Sequence, residues 1–74
     1  MKRVIASSAA DKKRAEFVLS KLGSALEEIM HYAPDDETAA QIATNVGLNG
    51  ITTKKSAVQA IADNIQYWAD IYNN

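Results

Sequence analysis

Residues 53–72 read TKKSAVQAIADNIQYWADIY, and this stretch decides the fold. Val58, Ile61, Ile65, Trp68 and Tyr72 recur at spacings of three and four residues. That spacing aligns them on one stripe of an α-helix and on no face of a strand. Ala62 and Ala69 lie beside the stripe and widen it. A helix of this kind needs a cover, and the preceding residues hold two segments that can supply one.

The nearer segment runs from about Asp36 to Val46, with Ala39, Ile42, Ala43 and Val46 on one side. Gly47 suits the left-handed position that ends a helix, and Leu48 can pack back onto it. Asn49-Gly50 is a turn dipeptide, Ile51 anchors the loop, and Thr52 or Thr53 caps the third helix. Before the segment stands Ala33-Pro34-Asp35. Proline biases its predecessor away from the helical region, so an earlier helix stops near Tyr32. Asp35 or Asp36 then opens the second helix, with acidic groups in its first turn.

That earlier helix carries Ala15, Val18, Leu19, Leu22, Ala25, Leu26, Ile29 and Met30 within one face. Ser7 or Ser8 caps it, and Asp11 favours the positive end of its dipole. Gly23 lies at the edge of the face and weakens the helix by about 1 kcal/mol against alanine. Phe17 points almost opposite, in line with Lys21, Ser24 and Glu28. Either Val4 and Ile5 fold back over it or a partner covers it. The expected fold is all-α: a three-helix bundle with helices at about 9–32, 36–46 and 53–72. It forms a single domain over 1–74, with a short N-terminal arm at 1–8.

A chain of 74 residues buries only about 60% of its unfolded surface. Small domains offset this with disulfides, a metal or association. The chain has no cysteine and one histidine, so no disulfide and no Cys- or His-based metal site is expected. Regular helix packing, association, or both remain. No apolar run approaches the roughly 18 residues of a membrane span. The apolar part of MKRVIASSAAD is too short for a signal peptide, and a cytoplasmic protein with no membrane partner is expected.

Net charge is −1, yet residues 1–21 hold six of the eight basic groups against two acidic ones. Residues 22–74 hold two basic groups against seven acidic ones. This asymmetry fits solvated faces, self-association between opposite ends, or an anionic partner for the arm.

No constellation for catalysis emerges. His31 sits at the end of the first helix, where a histidine complements the dipole. Glu27-Glu28 and Asp35-Asp36-Glu37 are neighbours, and adjacent helical residues point about 100° apart. No GxxxxGK[ST] loop occurs. No enzyme activity, cofactor or metal is expected. Gln41 to Leu48, with Val58 and Ile61, resembles a helix-turn-helix in Ala43, Gly47 and Leu48. It departs from the motif in that the second-helix anchors come about five residues late. Asp63 and Asp70 would also repel phosphate. A DNA-binding regulator is the alternative function, with Lys12, Lys13, Arg14, Lys54 and Lys55 as its nucleic-acid or other anion contacts. At Lys54 and Lys55 the free amides and the hydroxyls of Thr52, Thr53 and Ser56 suit an anion.

The favoured reading comes from the far side of the third helix. Ala60, Tyr67 and Ile71 lie about 140–180° from Val58, so the apolar arc is about twice the roughly 100° that a surface helix needs. Either the other helices grip it from two sides or another chain meets it. The expectation is a small regulatory or adaptor-type interaction module that self-associates and binds a protein partner. One contact surface is Ala60, Tyr67 and Ile71; Phe17 and the basic arm form the second.

Overall fold

Local hydrogen bonds set each helix boundary. The computed structural model describes residues 8–33 and 35–73. Helix α1 spans Ala9–Tyr32. The Ser8 hydroxyl accepts from the Asp11 N–H at 3.1 Å, and the Asp11 carboxylate accepts from the Ser8 N–H at 3.3 Å. This is a capping box with aspartate in place of the usual glutamate. Ala33 is extended, at φ −109° and ψ 96°, as a residue before proline should be. Ser7, the Val4-Ile5 pair expected over Phe17, the rest of the arm through residue 7, and Pro34 lie outside the described residues.

Helix α2 spans Asp36–Asn45, and its cap is Asp35, whose carboxylate accepts from the Thr38 N–H at 2.7 Å. At the other end Gly47 takes φ +91°. Its N–H donates to the Thr44 carbonyl at 2.9 Å, and the Leu48 N–H donates to the Ala43 carbonyl at 3.0 Å. That pair of bonds is the Schellman closure. Val46 becomes the cap at φ −103° and ψ 18°, so α2 ends one residue before the expected Val46. Helix α3 spans Lys54–Asn73. The Thr53 hydroxyl accepts from the Ser56 N–H at 3.0 Å, and the Thr53 carbonyl accepts from the Ala57 N–H at 2.9 Å. Thr53, not Thr52, is therefore the cap, and α3 is shifted one residue from the expected 53–72. Among the described residues no strand forms, and the fold is an all-α three-helix bundle.

Lengths and ends fix the topology. At 1.5 Å per residue α1 is about 36 Å long, α3 about 30 Å and α2 only about 15 Å. Tyr72 lies with Ala9, Ala10, Lys12, Lys13 and Glu16 around one hollow, so the end of α3 meets the start of α1. At the opposite end the Lys54 N–H donates to the Asp36 carboxylate at 2.8 Å. Thus α3 runs antiparallel to α1. Asn45 and Val46 lie against Phe17, Val18, Lys21 and Leu22, so α2 stops halfway along α1. Beyond that point, among the described residues, α1 and α3 have no third helix beside them. The molecule measures 40 × 25 × 16 Å.

Nine described residues are buried: Ala15, Leu22, Ala25, Ile29, Ala33, Ala39, Ala43, Ala57 and Ile61. Six are alanines, which let helices approach closely but remove little apolar surface from water. Val18, Leu26, Ile42, Val46, Leu48, Ile51, Val58, Ile65 and Trp68 close over this core and stay half-buried. The sequence stripe on α3 is therefore displaced. Ala57 and Ile61 form its buried centre, Val58, Ile65 and Trp68 flank it, and Tyr72 is 43% exposed. Met30, expected inside, is 61% exposed, because Ile29 takes the inward position on that turn.

Two predictions follow from this packing and capping. Ile61→Ala should destabilise the fold by about 2–5 kcal/mol and Ile61→Val by about 0.5–1.5 kcal/mol, read as a lower urea midpoint at unchanged slope. The second concerns Asp35. Hydrogen bonds from the Thr38 hydroxyl and then its backbone N–H hold the Asp35 carboxyl below its ordinary value of 3.8. A carboxyl lowered on folding contributes stability that is present above its ordinary value and lost as pH falls through the lowered one. Asp35→Asn keeps a good cap without the charge. Acid titration by circular dichroism should show a shallower loss of stability below about pH 4 for this variant than for the parent.

Candidate interaction surface

Alanine fills the α2 end, and the rings collect elsewhere. Four of the five aromatic residues, Phe17, Tyr67, Trp68 and Tyr72, lie at or beyond the point where α2 stops. Phe17 is 63% exposed, with the Lys21 ammonium 5.2 Å from its ring centroid, a cation–π arrangement. It lines a hollow of about 330 Å³ with Val18, Lys21, Leu22, Asn45 and Val46. Tyr67 is 59% exposed, and its ring meets Trp68 edge-on at 5.4 Å and 88°. The half-buried Trp68 thereby fixes one side of the tyrosine and leaves the other facing out.

The three residues expected to share one contact surface on α3 differ in cover. Ala60 and Ile71 are half-buried and Tyr67 is exposed. The Asn64 side-chain amide, also half-buried, lies among them and donates to the Ala60 carbonyl at 2.8 Å. The bundle thus grips part of the second apolar side, and Tyr67 is its outward member. Phe17 belongs to a different surface, the seam of α1 and α2.

The basic residues also separate. Lys12 and Lys13 border the hollow of about 580 Å³ at the meeting of α1 and Tyr72. Arg14 is exposed on α1. Asp11 and Glu16 stand on the same turns, and Asp70 lies at the same end of the molecule, so the positive charge there is diluted. Lys55 shares a hollow of about 390 Å³ with Ser56, Gln59, Ala60 and Asp63. Two of the first-turn amides thought suitable for an anion at the start of α3, those of Lys54 and Ser56, are engaged within the chain. Asp36 takes that of Lys54, and Thr53 takes those of Ser56 and Ala57.

Asp36 is the residue whose role the sequence left unseen. Its carboxylate sits in the first turn of its own helix and against the first turn of α3. Both positions favour negative charge. A helix that opens with two lysines and no acid needs an anion from elsewhere, and that was the available clue. The connection from α2 to α3 runs from 46 to 53, longer than the three- to four-residue turn of a helix-turn-helix. The two helices instead start side by side.

His31 is exposed, its ring 6.2 Å from that of Tyr32. Among the described residues no three acidic or histidine side chains converge as metal ligands would. No described helix is long and apolar enough to cross a membrane. No protein-family model matches the chain, and no curated protein or solved structure matches it.

Asp36→Ala removes the inter-helix bond and its charge. By the measure of helix caps it should destabilise by about 0.5–2 kcal/mol, whereas Glu37→Ala should change stability by less than about 0.5 kcal/mol. Paired urea titrations check the difference.

Proposed function

We propose that this protein is a small, non-enzymatic, cytoplasmic interaction module that self-associates and acts by binding a protein partner as a regulator or adaptor. The observation that carries the reading is the outward exposure of Phe17 and Tyr67 on a bundle whose buried core is mostly alanine. Tyrosine, tryptophan and arginine are the residues on which binding energy concentrates. Tyr67 is braced by Trp68 and so loses little freedom when covered. A chain of 74 residues without disulfides also gains stability from association by mass action. In this reading Tyr67, with Ala60 and Ile71 around it, anchors the protein partner. Phe17 serves the contact between copies.

Nucleic acid is the less favoured partner, since Asp63 and Asp70 share α3 with Lys54 and Lys55 and the Lys54 and Ser56 amides are already engaged. A DNA-binding module would show an affinity for duplex that falls steeply with added salt; no such binding is expected.

Tyr67→Asp changes an exposed residue and should retain the helical circular dichroism of the parent. When both are used as bait under native conditions, the variant should lose at least about tenfold of a stoichiometric partner, the effect of roughly 1.4 kcal/mol at a hot spot. A Lys55→Ala bait should keep it. Equal capture by all three would remove Tyr67 from the reading.

A further inference from the structure

The outer face of α1 is exposed along its length. Ala15, Leu22, Ala25 and Ile29 turn inward. Lys13, Arg14, Phe17, Ser20, Lys21, Ser24, Glu27 and Glu28 are all exposed along the opposite side. Charge on this face is segregated, with Lys13-Arg14 toward one end and Glu27-Glu28 toward the other. Between them lie one large ring, two small serines and Lys21. Gly23 sits at the edge of the same face, and nothing lies within 4 Å of where its side chain would begin. A glycine inside a helix weakens it, and no close approach within the chain accounts for this one.

We infer that a second copy of this chain docks antiparallel on α1 about a two-fold axis near Ser20 and Lys21. The inference deepens the self-association in the proposed function and rests on it. In an antiparallel pair, facing positions have residue numbers with a constant sum. Placing Lys13 opposite the partner's Glu28 sets that sum. The same register places Phe17 opposite the partner's Ser24, while Arg14 and Glu27 flank the face on its two sides. Both pairings repeat by symmetry, as an isologous interface requires. The parallel arrangement would set like charges against each other.

The ring has a place to go. Ser20, Lys21, Ser24, Ala25, Glu28 and Val46 surround a hollow of about 380 Å³ with the small side chains on its α1 side. The partner's Phe17 enters there, beside Val46, where apolar contact replaces water. Exposed ion pairs add little affinity, so the charges select the register and orientation while the two phenylalanines supply the attraction.

Charge reversal tests this pairing. The variant Lys13→Glu, Arg14→Glu carries four acidic groups on the face, and Glu27→Lys, Glu28→Lys carries five basic ones, Lys21 included. Sedimentation should give the parent twice the 8.0 kDa of one chain, each variant the mass of one chain, and their equimolar mixture the dimer mass again. Circular dichroism verifies that each variant is folded. If either variant does not fold, Phe17→Asp replaces the pair: its mass should fall to that of one chain, and an unchanged dimer mass would overturn the inference. A parent that stays at the mass of one chain at all concentrations would overturn this inference and self-association together. A dimeric parent whose mass neither reversal changes would overturn this interface alone.

Discussion

The close approach of α1 and α3 along alanine is the constraint on which the rest of the structure depends. Ala15, Ala25 and Ala57 are fully or almost fully enclosed, and Ile29 and Ile61 are the largest side chains wholly buried. Small residues at a helix seam set a short interaxial distance. They also limit the apolar area withdrawn from water, so the seam needs help. At one end α2 provides it with Ala39, Ala43, Ile42 and Val46. The Asp36 bond to Lys54 holds the starts of α2 and α3 together there. At the other end α2 has already stopped.

Much of this was legible in the chain. Capping chemistry is local, so Ser8, Asp11, Asp35 and Gly47 mark their boundaries by residue type and spacing alone. Periodicity gave three helices for the same reason. The rotation of α3 was harder. Large side chains dominate a reading by hydrophobicity, which drew the stripe through Val58, Ile61, Ile65, Trp68 and Tyr72 and passed over Ala57. Of these only Ile61 is fully buried, and it shares the buried centre with Ala57; an alanine looks the same to the sequence whether buried or exposed. The Asp36 bond spans 18 positions and follows from tertiary placement, which no local pattern encodes.

The candidate surfaces were legible to a similar degree. Phe17 stands off the apolar face of its helix by angle alone, and it is exposed. Ala60, Tyr67 and Ile71 share a side by spacing, yet the bundle covers the first and last in part and leaves the tyrosine out. The proposed division of labour follows: an alanine-lined end that holds the fold, and an aromatic end and outer face available to other chains.

Amide hydrogen exchange on dilute protein tests that division most directly, because protection reports local opening. The account predicts the slowest exchange at Ala25–Ile29 and Ala57–Ile61, with Tyr67–Tyr72 exchanging at least about tenfold faster, roughly 1.4 kcal/mol less protected. Equal protection of Tyr67–Tyr72 and Ala57–Ile61 in the dilute protein would contradict it.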